Sequence, residues 1–199
     1  AEYLYDNLSG LIKEKYGFDV SVSEPKKEAG NTDTWKIKVV TKPEQKNLPS
    51  QKINIDICHL PSRDRKVQFL RNFYGLDFGT SDMPLFAESL EEILCDKLIA
   101  FARRPNRVKM RDLWDIHWLY KKNVSVDRSL LLQKLDDRRI TLEQFKTQYA
   151  GRIKETEPLQ EDFLFEMRRF LMPSAFTKNF TSPLWWQALV NLLSEFGRF

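Results

Sequence analysis

Hydrophobic and polar positions in the first third of the 199-residue chain change from a helical period to an alternating one. Apolar residues three and four positions apart predict a helix from Tyr3 to Tyr16, which Gly17 ends. Alternation then predicts three short strands, joined by polar turns, that form an antiparallel sheet. The predicted strands are Phe18–Val22, Thr34–Thr41 and Lys52–Leu60, and the predicted turns are Pro25–Asp33 and Pro43–Ser50.

From Ser89 onward the pattern is helical. Ser89 and Glu92 have the S-x-x-E spacing of a capping box. Ser182 followed by Pro183 predicts the start of the last helix, which runs to Phe196. The other predicted helices are one from Ser89, then Val108–Tyr120, Val126–Leu135, Thr141–Ala150 and Pro158–Leu171. The mixed pattern of 61–86 predicts no element, so we expect an α+β fold with an incomplete sheet and flanking helices in 1–88, and an all-helical part in 89–199.

Two of these helices place ionisable residues on the face that a helix normally buries. Lys97 shares a stripe with Leu90, Ile93, Leu94 and Phe101, whereas Asp112 and Asp115 share a stripe with Ile116 and Leu119. Charges turned inward are costly unless they pair or take part in chemistry. Two interpretations of Lys97 remain open, since it can hold a phosphate in a cleft or pair with an aspartate of the next helix.

Asp112 and Asp115 are three positions apart, so their side chains are neighbours and suggest a nearby cation, for which Lys97, Lys109 and Arg111 are candidates. This group is either an ion-pair network that pins the helices or part of a site. The connection between the helices is rich in basic residues, and it is either a rim that attracts phosphate or a solvated turn. The basic residues are Arg103, Arg104, Arg107, Lys109 and Arg111.

Asp56 lies on the polar side of the predicted strand Lys52–Leu60, opposite its isoleucines. A carboxylate presented from a sheet suits Mg²⁺, which prefers oxygen ligands. The simpler interpretation is an exposed residue on the solvent side of a half-buried sheet, because alternation places polar residues there in any case.

Composition narrows the class of protein. With 42% hydrophobic residues the chain can build a core, and its formal net charge of +4 is compatible with a nucleotide, an RNA or an acidic partner. Two cysteines without a C-x-x-C pair provide no zinc framework or disulfide scaffold, which favours a reducing compartment. With no apolar run of membrane-spanning length and no signal-peptide pattern, we expect a cytoplasmic protein.

Two segments together resemble a known signature. The residues E-E-I-L-C-D-K-L-I-A-F at 91–101, followed by K-M-R-D-L-W-D-I-H-W-L at 109–119, resemble the AbiEii-type nucleotidyltransferase toxins of type IV toxin–antitoxin and abortive-infection systems. The preceding K-I-N-I-D-I at 52–57 is similar to the strand that carries the third carboxylate of the nucleotidyltransferase fold. The order of elements also resembles that of the family.

The resemblance implies a role for each matching residue. Asp56 would be a metal-associated carboxylate that binds Mg²⁺, Lys97 a contact to nucleotide phosphates, and Asp112 a residue of the active-site cleft. Lys109 and Arg111 would bind phosphate at the cleft edge, and Glu92 and Asp115 would support the helix pair. The implied reaction transfers a nucleotide from a nucleoside triphosphate to an RNA acceptor, in some relatives tRNA, or to a protein, and the implied partner is a cognate antitoxin.

One feature departs from the family pattern. The first motif of the fold, a Gly-Ser or Gly-Gly turn followed by D-x-D, is absent from the 199 residues, and Asn54-Ile55-Asp56 is the nearest match. We therefore expect an N-terminal segment to be missing, or a catalytically reduced relative, and we expect this chain to be inactive alone. The competing hypothesis is a non-catalytic RNA- or protein-binding module in which Lys97, Asp112 and Asp115 form a structural network. An antitoxin-type DNA binder is disfavoured because there is no helix-turn-helix with a basic recognition helix.

Overall fold

The computed structural model describes residues 2–23, 31–42, 44–45, 49–71, 75, 83–173, 176 and 180–198. These residues form seven helices and two small antiparallel sheets, which confirms the predicted α+β class. The elements are α1 (Glu2–Tyr16), β1 (Asp19–Ser23), β2 (Thr32–Val40), β3 (Gln51–Cys58), β4 (Arg65–Phe69), β5 (Pro84–Glu88), α2 (Leu90–Arg103), α3 (Met110–Lys121), α4 (Arg128–Asp137), α5 (Leu142–Thr156), α6 (Gln160–Met167) and α7 (Pro183–Phe196).

The chain divides into two compact units, residues 1–61 and 62–199. In the first unit β1, β2 and β3 pair in that order, antiparallel throughout, as the alternation predicts. Trp35 and Ile37 of β2 are buried and pair with Ile55 and Ile53 of β3. The predicted turn that ends at Asp33 is too long, because β2 already begins at Thr32, and residues 25–30 of that turn lie outside the described part of the chain.

The second unit contains a strand pair that the sequence pattern did not predict. β4 and β5 pair antiparallel, with Arg65 opposite Glu88. Every residue of β4 is exposed, so the strand has no buried face and no hydrophobic alternation to reveal it. The predicted boundary between residues 88 and 89 stays a prediction, although this strand pair belongs to the same compact unit as the helices.

The helices of the second unit enclose one hydrophobic core. α2 packs against α3, α4 and α5, while α3 packs against α6 and α5 against α7. Residues with almost no exposed surface include Leu94, Leu98, Leu113, Ile116, Leu131, Phe145, Phe163 and Leu193. This packing holds α2 and α3 side by side, which is what positions their charged residues.

Helix ends that carry capping residues agree best with the prediction. α7 has the predicted bounds, because the Ser182 side chain accepts a hydrogen bond from the Leu184 amide and Pro183 occupies the first turn. α5 extends to Thr156, beyond the predicted Ala150. α6 is shorter than predicted. None of the described helices is long and apolar enough to span a lipid bilayer.

Candidate functional site

Lys97 of α2 lies between two aspartates of α3. Its Nζ atom is 2.5 Å from Oδ2 of Asp115 and 3.2 Å from Oδ1 of Asp112. Partial burial alone would lower the pKa of Lys97, but the hydrogen bond to Asp115 and the charges of both aspartates raise it above the ordinary value. The structure therefore brings together the three residues singled out in the sequence and keeps the ammonium charged.

The two aspartates differ in burial. The side chain of Asp112 is only 5% exposed, whereas that of Asp115 is 40% exposed. Lys97 itself is 30% exposed, so its side chain lies at the edge of the helix pair rather than in the core. The predicted buried stripe is accordingly wrong at one end, since Leu90 is 40% exposed.

Asp112 has a second cationic partner. Nη2 of Arg104 lies 2.9 Å from Oδ2 of Asp112. Neither this Oδ2 atom nor Nε of Arg104 makes a well-aligned hydrogen bond among the described residues, so the contact is an ion pair with poor hydrogen-bond geometry. Arg104 belongs to the basic connection recognised in the sequence, but Lys97, Lys109 and Arg111 were the predicted partners, and of these only Lys97 forms an ion pair with Asp112.

Arg111 and Lys109 lie at the start of α3 and have different surroundings. Nε of Arg111 is 4.0 Å from Oε1 of Glu166, and its guanidinium group stacks on Phe170 with 4.7 Å between Cζ and the ring centre. Partial burial and, after it, the charge of Arg104 lower the pKa of Lys109. Both residues therefore lie at a basic end of the helix pair, and their role in phosphate binding stays a prediction.

Asp56 is exposed on β3 in the first unit. Its Oδ1 atom accepts a hydrogen bond of 2.7 Å from the Thr34 hydroxyl on the neighbouring strand. A neutral hydroxyl leaves the carboxylate with its charge and with lone pairs for a cation. Asp56 can thus supply one oxygen ligand to Mg²⁺, a metal that commonly takes one or two carboxylates together with substrate phosphates.

Of the two hydrogen bonds that define a capping box, only one forms at Ser89. The Ser89 hydroxyl accepts a hydrogen bond of 3.0 Å from the Glu92 amide. The Ser89 amide donates to the carbonyl of Asp64 at 2.8 Å, not to the Glu92 side chain. The Glu92 carboxylate instead contacts Lys134 and accepts hydrogen bonds from residues 62–64.

Glu92 and Lys134 form a buried ion pair that the sequence reasoning missed. Glu92 has no exposed surface and Lys134 only 2%, and Nζ of Lys134 lies 2.5 Å from Oε1 of Glu92. Asp96 completes the arrangement, accepting from Lys134 at 2.8 Å and from Arg138 at 2.7 Å. A signal existed, because Lys134 shares the helical stripe of Leu130 and Leu131, but its acidic partners lie about forty positions earlier in the chain.

Glu92 also fixes the segment before β4. Its carboxylate accepts hydrogen bonds from the Ser62 hydroxyl at 2.8 Å and from the amides of Arg63 and Asp64 at 2.7 Å each. Burial would raise the pKa of Glu92, but the hydrogen bonds from Lys134 and from this segment lower it to about 2. The predicted supporting role of Glu92 stays a prediction, and its contacts join α2, α4 and the chain leading into β4.

The same acidic group fits a metal poorly. Among the described residues, one set of three ligand atoms lies within 4.8 Å, those of Glu88, Glu92 and Asp96. The ammonium group of Lys134 already lies among them, at 3.6 Å from Glu88 and closer to the other two. A protonated lysine in that position takes the place of a metal ion, so these carboxylates provide structural contacts.

Comparison with known proteins assigns the family. Residues 1–190 match the nucleotidyl transferase AbiEii toxin family of the type IV toxin–antitoxin system. The chain belongs to this family, and the match extends over the C-terminal helices as well as the signature segments. No curated protein and no solved structure matches the chain.

Proposed function

We propose that the α2–α3 pair binds the triphosphate of a nucleoside triphosphate through Lys97, and that the protein serves nucleotide transfer with Mg²⁺ to an RNA acceptor such as tRNA, or to a protein. The family is one of nucleotidyltransferase toxins, and its type IV system implies an antitoxin partner. The observation that carries the proposal is the Lys97 ammonium, which two aspartates hold in place while 30% of the side chain stays accessible.

The geometry suits a phosphate contact. The ammonium offers three donors, of which the aspartates take two, so one donor is left for an anion. Asp112 remains paired with Arg104 when Lys97 turns towards a ligand, because Arg104 contacts its other oxygen. Lys97 can therefore exchange a carboxylate for a phosphate without leaving Asp112 unpaired.

Asp56 is proposed as the carboxylate that binds Mg²⁺ in the first unit. When bound, Mg²⁺ would neutralise charge on the phosphates during displacement. The expectation that these 199 residues alone transfer no nucleotide stays a prediction. Incubation with labelled nucleoside triphosphates, RNA and Mg²⁺ tests it, and incorporation of label that Asp56→Ala abolishes would contradict it.

Binding of the nucleotide is the direct test of the proposal. Titration of a fluorescent nucleoside triphosphate into the protein with Mg²⁺ should give saturable binding that free triphosphate competes away. Lys97→Met should weaken binding at least about tenfold, as loss of one charged hydrogen bond predicts. Lys121→Met removes an exposed lysine at the other end of α3 and should leave affinity unchanged. Equal affinity in both variants would refute the role of Lys97.

A second candidate function is a non-catalytic module in which the same residues only hold α2 and α3 together. The observation that favours it is that Lys97 makes ion pairs with both aspartates. In that case Lys97→Met lowers the melting temperature substantially and nucleotide binding is absent from the wild type as well. The two functions therefore predict opposite results for the same pair of variants.

A further inference from the structure

Two phenylalanines are exposed where α6 ends. Phe165 is 63% exposed and Phe170 is 53% exposed. The core contacts of α6 come instead from Phe163 and Met167, which are each 1% exposed. The exposed rings thus add little to the core. Burying them against a ligand would be favourable, because it removes apolar surface from water.

An arginine stacks on each of these rings. Cζ of Arg169 lies 4.8 Å from the ring centre of Phe165, and Cζ of Arg111 lies 4.7 Å from that of Phe170. Together with Arg107 they line a cavity of about 570 Å³, which we call the Phe165–Phe170 surface. Its size is within the range of sites that hold a nucleotide-sized ligand.

One acidic side chain lies near two of these arginines. The carboxylate of Glu166 lies 3.8 Å from Nη1 of Arg107 and 4.0 Å from Nε of Arg111. Ion pairs of this length are weak, and Arg107 is 72% exposed, so both guanidinium groups can still donate to an anion. Glu166 therefore leaves both guanidinium groups available to an anionic ligand.

The charge around this surface is positive. Its lining has three arginines against two acids, Asp162 and Glu166. Partial burial and the charges of Arg104, Arg111 and Arg107 act together to lower the pKa of the adjacent Lys109. A positive potential at this end of α3 attracts a polyanion.

We propose that the Phe165–Phe170 surface binds a single-stranded nucleic acid, with phosphates on Arg107, Arg111 and Arg169 and unstacked bases against the two rings. Alternating arginine and aromatic groups suit this ligand because bases stack on rings and on guanidinium planes, while the backbone follows the positive charge. A duplex does not fit, since its bases are already stacked.

The Phe165–Phe170 surface and the candidate nucleotide contact both include residues of α3. Arg111 directly precedes Asp112, the buried partner of Lys97. A strand bound through Arg111 would thus contact the start of α3, the helix whose aspartates hold Lys97, and would be the RNA acceptor. This role as acceptor site deepens the proposed function and rests on it, whereas strand binding itself does not.

Fluorescence anisotropy with a labelled single-stranded RNA of about ten nucleotides tests the binding on the full chain. Phe165→Ala with Phe170→Ala should weaken binding at least about tenfold, from the loss of two stacking contacts. Leu184→Ala removes a comparably exposed apolar side chain, 82% exposed on α7, and should bind RNA like the wild type. Because all three side chains lie on the surface, these variants are expected to fold normally.

The salt dependence of RNA affinity separates the contribution of phosphate contacts from that of base stacking. Arg169→Ala should weaken binding and reduce the slope of log K against log salt by about one. Arg128→Ala, an exposed arginine at the start of α4, is the matched control and should leave the slope unchanged.

The proposal is overturned if the wild type has no affinity for the RNA, if the two phenylalanine substitutions leave affinity unchanged, or if an acidic protein is bound through these residues and RNA is not.

Nucleotide titration of the same variants distinguishes RNA binding at this surface from triphosphate binding at Lys97. Loss of RNA binding with intact triphosphate binding supports separate sites. A wild type that binds RNA but no triphosphate would refute the proposed function and leave this surface standing.

Discussion

Nζ of Lys134 lies 2.5 Å from Oε1 of Glu92, and this pair, rather than the one around Lys97, is the most deeply buried ion pair among the described residues. Glu92 holds the chain before β4 through three further hydrogen bonds. Lys97, by contrast, is open to solvent on one side. The structure thus separates a charge that stabilises the fold from a charge that is available to a ligand.

Removal of Lys134 should destabilise the protein strongly. Lys134→Met leaves Glu92 and Asp96 without their shared ammonium group, and loss of one partner of a buried pair costs about 3–5 kcal/mol. Urea unfolding measures the cost, with Lys121→Met as the exposed control. A cost below about 1 kcal/mol, typical of surface pairs, would show that the pair is not buried in solution.

Glu92 should make the free energy of unfolding depend on pH in the acid range. Its pKa is lowered from 4.5 to about 2, so the folded state binds fewer protons than the unfolded state between these values. The stabilisation is present above pH 4.5 and is lost as the pH falls towards about 2. Glu92→Gln should therefore flatten the fall in urea midpoint over this range, whereas Glu143→Gln on the exposed side of α5 should not. Equal slopes in both variants would contradict the assignment.

Two glycines offer a matched test of packing. A Cβ at Gly151, within α5, meets no atom within 4 Å, so Gly151→Ala should stabilise the helix by about 0.5–1 kcal/mol. A Cβ at Gly197 would lie 3.1 Å from the ring of Tyr149, which is 1% exposed and donates to the Leu193 carbonyl. Gly197→Ala should cost about 1–3 kcal/mol. Thermal unfolding that ranks the variants in the opposite order would contradict this packing.

The two aspartates beside Lys97 should not be equivalent. Asp112 is buried and serves both Lys97 and Arg104, so Asp112→Asn should cost about 3 kcal/mol. Asp115 is 40% exposed, and Asp115→Asn should cost about 1 kcal/mol or less. Comparison of their unfolding free energies checks this difference in burial, and equal costs would contradict it.

Patterns along the chain predicted those elements that have one buried face or a clear end. The strands of the first sheet alternate, and α7 has a serine, a proline and a glycine at its ends. β4 was missed because both of its faces are exposed. Helical spacing brought Lys97, Asp112 and Asp115 to one place, since neighbouring helices of a hairpin pack together. The Glu92–Lys134 pair joins helices about forty positions apart, and such pairing depends on tertiary packing that periodicity does not contain.

The thermal shift on adding Mg²⁺ and nucleotide shows whether Lys97 binds the triphosphate of a nucleotide. At a free nucleotide concentration of about 100 times the dissociation constant, the wild-type protein should gain about 2.7 kcal/mol of stability, seen as a higher melting temperature. Without nucleotide, Lys97→Met should melt close to the wild-type temperature, because Asp112 keeps Arg104 and Asp115 is 40% exposed. The same nucleotide should raise its melting temperature much less. A Lys97→Met variant that melts far below the wild type without nucleotide, and gains as much stability from nucleotide as the wild type does, would refute triphosphate binding by Lys97 and make it a structural residue.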